Sequence, residues 1–201
     1  MPEPTLTTAA QRQRAVAWVL ALTANTLLAP GRYERQLLDR YKDGGLILDE
    51  VLALLVAAPY QLLYRSRATT LPTEADLQRL LDQSREWNAE ASITGLLLYS
   101  NGRYVQVLEG PQTEVQALYA RILRDPRHTQ VATLSEGLGP ARRFAAWRMA
   151  LGNVAQPAVA RLLDAVLAEE PFHGVPIDEL LLHQLLEAFG VNSEATVSEV
   201  A

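Results

Sequence analysis

Residues 94–110 read TGLLLYSNGRYVQVLEG. Two apolar runs flank Asn101-Gly102, a pair whose tolerance of positive φ makes it a strong two-residue hairpin turn. A loop of that length sets the register: Ser100 faces Arg103, Tyr99 faces Tyr104, and Leu97 faces Gln106. Alternation then places Gly95, Leu97, Tyr99, Tyr104, Gln106 and Leu108 on one face of a sheet. Leu96, Leu98, Val105 and Val107 share the other. Both faces are apolar, so both are expected to be covered. Gln106 is the exception. An amide in the middle of a buried strand is costly without partners, so a polar group must meet it.

Ahead of the hairpin, residues 60–66 (YQLLYRS) read as a strand. Pro72-Thr73 followed by Asp76 starts a helix that runs to Trp87-Asn88, with Leu77, Leu80 and Leu81 at helical spacing. Beyond the hairpin, Pro111 opens a second helix in the first-turn position that proline favours. Val115, Leu118, Tyr119 and Ile122 form its apolar face, and Asp125-Pro126 stops it. Residues 131–136 read as a fourth strand and 144–151 as a fifth. The order is β-α-β-β-α-β with an extra strand, an α+β ferredoxin-like pattern that carries both helices on one face. The other face needs a cover. Two C-terminal helices, 157–169 and 177–189, the second ended by Gly190, are expected to supply it.

The N-terminal part reads as a helical extension. Residues 8–29 form a helix with Ala15, Val16, Trp18, Val19 and Leu22 available for burial, broken by Pro30-Gly31. Residues 33–41 and 48–57 read as two short helices around Asp43-Gly44-Gly45. Asp49 and Glu50 fall in the last one's first turn, where acids favour the helix dipole. The stretch RYERQLLDRYKDGGLILDEVLALL resembles short antitoxin-type helical modules, and no activity is assigned to it. The expected division is a helical extension over 1–59, a sheet domain over 60–152, and a helical pair with a frayed tail over 153–201.

The composition narrows the chemistry. Of 201 residues, 49% are hydrophobic and 20% charged, as in a globular protein of one domain plus extensions. The absence of cysteine removes disulfides, thiol nucleophiles and cysteine metal sites, and agrees with a cytoplasmic location. His128, His173 and His183 lack metal-like spacing. The net charge is 0 over 1–59, +2 over 60–152 and −7 over 153–201, and no basic run points to nucleic acid. Arg12 and Arg14 precede AVAWVLAL, which has the look of a secretory signal. The run is short, however, Glu3 lies ahead of it, and it continues into a polar helical stretch, so it is read as a helix. No run approaches the ~20 apolar residues of a membrane span.

The segment 60–152 resembles the BLUF family of flavin-binding blue-light sensors. The matching pieces are Tyr64-Arg65-Ser66, Asn88, Ile93-Thr94-Gly95, Tyr104-Val105-Gln106-Val107-Leu108-Glu109-Gly110, Arg124-Asp125-Pro126-Arg127-His128, Arg142-Arg143-Phe144 and Trp147-Arg148-Met149. The resemblance implies a flavin, usually FAD with FMN or riboflavin as variants, held between the two helices over the sheet. It puts Tyr64, Ser66, Asn88, Thr94, Gln106, Arg127 and His128 at the cofactor. Tyr64 is then the redox-active tyrosine, and Gln106 bridges its hydroxyl to the flavin N5/C4-carbonyl edge. After light the glutamine amide rotates or tautomerises, a hydrogen bond to the C4 carbonyl strengthens, and the absorption shifts to the red. Asn88 holds the pyrimidine edge of the ring. Trp147 and Met149 carry the signal outward, and which of them sits beside the flavin in the dark is left open.

The residues themselves agree with that implication. Gln106 has a donor and an acceptor end, so it can join a phenol to a heteroaromatic edge and exchange the two. Taken singly, Tyr64 reads as a core-edge tyrosine, Asn88 as a helix-end residue, and Trp147 and Met149 as core filler. Jointly they point to a photosensor that is not an enzyme and signals through a protein partner or a change of assembly. With no cyclase- or phosphodiesterase-sized segment after residue 152, the expected route is Met149 and the 157–169 helix. Apolar outer surfaces point to a homo-oligomer, a dimer or larger. Two alternatives are a flavin-binding scaffold that no longer signals and a flavin-dependent enzyme. The latter lacks a nicotinamide-binding glycine motif or a nucleophile–base pair.

Overall fold

A computed structural model describes residues 8–153. The chain divides into two compact units. One runs up to Pro59 and takes in Gly137–Ala141; the other comprises Tyr60–Glu136 and resumes at Arg142.

The first unit holds helices α1 (Ala9–Thr23), α2 (Arg32–Lys42) and α3 (Leu48–Ala57). A capping box starts α1: the Thr8 hydroxyl accepts from the Gln11 N–H, and the Gln11 side chain accepts from the Thr8 N–H. The helix ends at Thr23 and does not reach residue 29. Asn25 turns to φ 60°, and the Thr26 N–H bonds back to the Thr23 carbonyl. An asparagine in that conformation is a common helix stop. Burial also differs from expectation. Val16 is buried, but Trp18 and Leu22, one turn apart on the side away from Val16, are both 68% exposed. The core lies between α2 and α3, where Tyr33, Leu37, Leu46 and Val51 pack together. α3 keeps the predicted bounds, with the Glu50 carboxylate accepting from the Ile47 N–H.

The second unit follows the expected order: β1 (Tyr60–Ala68), α4 (Glu74–Glu90), β2 (Thr94–Ser100), β3 (Arg103–Gly110), α5 (Gln112–Ile122), β4 (His128–Leu138) and β5 (Ala150–Asn153). Thr73 caps α4 through a reciprocal pair with Asp76. Pro111 occupies the N-cap of α5, one residue before the first-turn position expected for it. The sheet order is β4-β1-β3-β2-β5, with β3 central. Asn101 and Gly102 both take positive φ, 49° and 76°, and the β2–β3 register pairs Ser100 with Arg103, Tyr99 with Tyr104 and Leu97 with Gln106. Strand β1 adds on the far side of β3 and sets Tyr64 opposite Gln106.

The fifth strand departs most from the sequence reading. It covers Ala150–Asn153, parallel to β2, and the preceding residues 144–149 are not strand. Their backbone is bonded elsewhere. Trp147 N–H turns back to the Phe144 carbonyl, while the carbonyls of Arg148 and Met149 receive side chains from α4. Both sheet faces are buried. Tyr64, Leu97 and Gln106 share one with α4 and α5, and Leu63, Leu96, Leu98, Val105 and Val107 lie on the other. Each fully buried leucine or valine here contributes roughly 1.5–3 kcal/mol relative to exposure. The two C-terminal helices expected to cover that second face lie outside the described residues.

Candidate functional site

The buried amide that stood out in the sequence has partners at both ends. The Tyr64 hydroxyl, on β1, donates to Gln106 Oε1. Gln106 Nε2 donates to Met149 Sδ at 3.3 Å. The register brings the two within reach, since Tyr64 and Gln106 are cross-strand neighbours on one face. Tyr64 is fully buried, and its ring lies 5.2 Å from that of Tyr119 on α5. Burial first, and the neighbouring Tyr119 second, raise the pKa of the Tyr64 phenol, which keeps it protonated and a donor.

Above this row lies a cavity of about 410 Å³, within the size range of small-molecule sites. Leu97 of β2, Leu80 of α4, and Leu118 and Ile122 of α5 give it apolar walls. Tyr64 and Gln106 supply a polar patch on the sheet side, and Asn88 adds an amide from the end of α4. Asn88 Nδ2 donates to the Arg148 carbonyl at 2.6 Å. On the α5–β4 side stand Arg121, Asp125, Arg127 and His128. The Arg127 guanidinium meets the Asp125 carboxylate at 2.6 Å, and this hydrogen bond holds Asp125 below the usual carboxylate range. Burial lowers the His128 pKa, favouring the neutral ring, whose Nδ1 is 2.9 Å from Ser66 Oγ. Such a cavity suits an aromatic ligand with hydrogen-bonding edges and a negatively charged appendage.

The sequence-derived site residues fall into two groups. Tyr64, Asn88, Gln106, Arg127 and His128 line the cavity. Ser66, Thr94, Trp147 and Met149 are not on its wall. Ser66 reaches it through His128, and Thr94 accepts from Arg142 Nη1 at 3.2 Å. Met149 is buried against Gln106, while the half-buried Trp147 stacks on Phe144 with ring centroids 5.9 Å apart. A strand over 144–151 would put Trp147 and Met149 on one face; the backbone there is irregular, and the two side chains go to different neighbours. Trp87 and Arg121 also line the cavity, with Arg121 Cζ 4.1 Å over the Trp87 ring. The sequence offered a signal for both: Trp87 adjoins Asn88, and Arg121 follows Leu118 by one helical turn. Among the described residues no cluster of His, Cys, Asp or Glu could hold a metal ion, and no helix is long and apolar enough to cross a membrane.

Residues 60–150 match the family model described as BLUF, sensors of blue-light using FAD. The dark-state structure of BlrB, a BLUF protein, is 31% identical and superposes at a TM-score of 0.56, covering 65% of this chain and 96% of that one. The chain belongs to the BLUF family. It is also 48% identical over 73 residues to photoactivated adenylate cyclase subunit beta of Euglena gracilis. That match covers 36% of this chain and 8% of the cyclase subunit. The blue light- and temperature-regulated antirepressor BluF of Escherichia coli (strain K12) is 32% identical over 83 residues, 41% of this chain and 21% of that protein. The chain thus spans a small part of the curated relatives it matches. As a BLUF domain, the segment that carries the cavity is a flavin-binding sensor module.

Proposed function

We propose that this chain is a blue-light photoreceptor with FAD in the α4–α5 cavity and Tyr64, Gln106 and Met149 as its switch. The observation that carries this reading is the hydrogen-bonded row Tyr64–Gln106–Met149, whose first two members line the cavity. The residues fit the cofactor. The apolar walls match a ring system, the amides of Asn88 and Gln106 match its polar edges, and Arg121 and Arg127 match a phosphate-bearing chain. A bound flavin supplies the light absorption and, when excited, an oxidant for an aromatic ring at its edge.

The protein's part is positional. Tyr64 is the aromatic donor, and its proton already lies on the bond to Gln106 Oε1. Loss of an electron from the phenol to the excited flavin would therefore be matched by movement of that proton toward Gln106, and both would return to Tyr64 as the amide settles, so that no net oxidation remains. Gln106 then has two settings. With Oε1 toward Tyr64, its nitrogen faces Met149; with the amide exchanged, the nitrogen faces Tyr64 and an oxygen meets the thioether. An oxygen against Sδ loses the donor–acceptor match. Light thereby loosens the seat of Met149, and the change passes outward along residues 147–153 to a protein partner or an altered assembly. The chain performs no chemical turnover in this scheme and works in the cytoplasm.

The test is uptake of flavin. Apo protein is titrated with FAD, FMN and riboflavin while flavin fluorescence is followed. Quenching that saturates at one flavin per chain, tightest for FAD, is the expected result. No quenching with any of the three overturns the reading.

A further inference from the structure

Among the described residues, Glu109 is the one charged side chain that is fully buried. It lies on β3 three residues beyond Gln106, and so on the opposite face of the sheet. Its Oε1 accepts from Gln61 Nε2 at 2.9 Å and from the Arg143 N–H at 3.0 Å. Its Oε2 accepts from the Phe144 N–H at 2.9 Å. The Glu109 carbonyl receives Arg142 Nη1 at 3.3 Å, and the same nitrogen reaches Thr94 Oγ1. Three consecutive residues are thus fastened to one position of the central strand.

Stability alone does not explain an acid here. A buried charge is expensive, and a well-packed apolar residue commonly serves a core as well. What the carboxylate adds is geometry. Two adjacent N–H groups converge on one carboxylate only when the backbone between them takes a single conformation. Five residues after Phe144 comes Met149. The intervening turn is tied by Trp147 N–H to the Phe144 carbonyl at 2.8 Å and by Gly95 N–H to the Trp147 carbonyl at 2.9 Å. Each of these bonds requires that the segment start in the right place. We infer that Glu109 is a positioning residue for the switch: its grip on Arg143 and Phe144 sets the seat of Met149 against Gln106. The inference deepens the proposed light-sensing function and rests on it for the light response, while the grip itself is testable in the dark.

The sequence provides a clean reporter. It contains two methionines, Met1 and Met149. In the full chain labelled with ¹³C-methyl methionine, Met149 gives one assignable signal. Glu109→Gln replaces an acceptor oxygen with an amide nitrogen that cannot accept, so a donor faces a donor. The expected result is a Met149 methyl signal displaced toward the position of a solvent-exposed methionine side chain, with amide signals of Leu97 and Val105 unmoved. The Arg143 and Phe144 amides exchange about tenfold faster, the change expected for one lost net hydrogen bond. Arg143→Pro removes one donor and leaves Glu109 intact; it keeps the test open if Glu109→Gln does not fold, and the same displacement is expected. With FAD bound, both variants give a smaller light-induced shift than wild type. A Met149 signal unchanged in a folded variant overturns the inference, and so does a displacement shared by the whole sheet. If wild type itself shows no light response, the light-sensing reading falls, and the dark Met149 signal still decides the role of Glu109.

Discussion

The hairpin of β2 and β3 and the segment 142–149 lie in the same unit, but different forces hold them. The hairpin is a ladder: every residue from Thr94 to Ser100 has a partner on β3, and the turn residues suit their backbone. The segment from Arg142 to Met149 has no such ladder. Apart from the local Trp147–Phe144 bond and the single tie of Gly95 N–H to the Trp147 carbonyl, its backbone groups go to the side chains of Glu109, Asn88 and Arg85, which are far away in sequence. A ladder is cooperative and hard to change in part. A segment held by separate side chains can shift when one contact changes, and this one ends on the methionine that touches Gln106. In the proposed switch the rigid element carries the amide, and the adjustable one reads its setting.

The contrast can be attacked from both sides. The largest effect is expected from Gly95→Ala on the ladder. A Cβ there would lie 2.1 Å from the Val107 carbonyl oxygen. Neither strand can give way without breaking pairs, so a loss on the order of 3 kcal/mol or more is expected in urea unfolding. A change within about 0.5 kcal/mol, the size of an ordinary surface substitution, would refute the rigid-ladder half of the comparison.

Next comes Gln106→Leu, which leaves the Tyr64 hydroxyl buried without an acceptor at a cost of roughly 1–3 kcal/mol. The variant should still bind flavin and lose the light-induced red shift altogether. A surviving shift would remove Gln106 from the switch.

On the adjustable side, Asn88→Ala strips the Arg148 carbonyl of its donor. About 1 kcal/mol is expected from a partly buried bond of this kind, with faster hydrogen exchange confined to residues around 147–150. Exchange that rises across all five strands would mean the segment is as cooperative as the hairpin.

The smallest effect is a pH dependence. Burial lowers the pKa of His128 below its ordinary value of 6.5. The unfolded chain then takes up a proton that the native ring resists. The stability contribution is complete above pH 6.5 and is lost as pH falls toward the native pKa. Urea midpoints compared at about pH 7.5 and about pH 5.5 should fall less in His128→Gln than in wild type. Equal falls would place the titration elsewhere.

How far the sequence could be read follows the same division. The hairpin register follows from period-2 alternation and one Asn-Gly turn, and the β-α-β-β-α-β order from the sequence of strand and helix patterns; the contact of Tyr64 with Gln106 was implied by the BLUF resemblance alone, because no local signal sets the β1–β3 register. The irregular run before Ala150 was not legible. Its apolar residues Phe144, Trp147 and Met149 mimic a strand, and its true partners are single side chains tens of residues away. Glu109 was legible in principle, because it breaks an apolar strand just as Gln106 does. Its role needed the position of Arg143 and Phe144. Helix α1 was read as too long because Pro30-Gly31 is the louder stop signal, yet Asn25 ends the helix first.

The most direct test of the central claim is the absorption spectrum of the purified, FAD-loaded chain in darkness and again after blue light. Flavin bands that move modestly to the red without bleaching and return in the dark are the expected result. Bound flavin whose bands stay in place, or bleach to a reduced form, would contradict a hydrogen-bond switch at Tyr64 and Gln106.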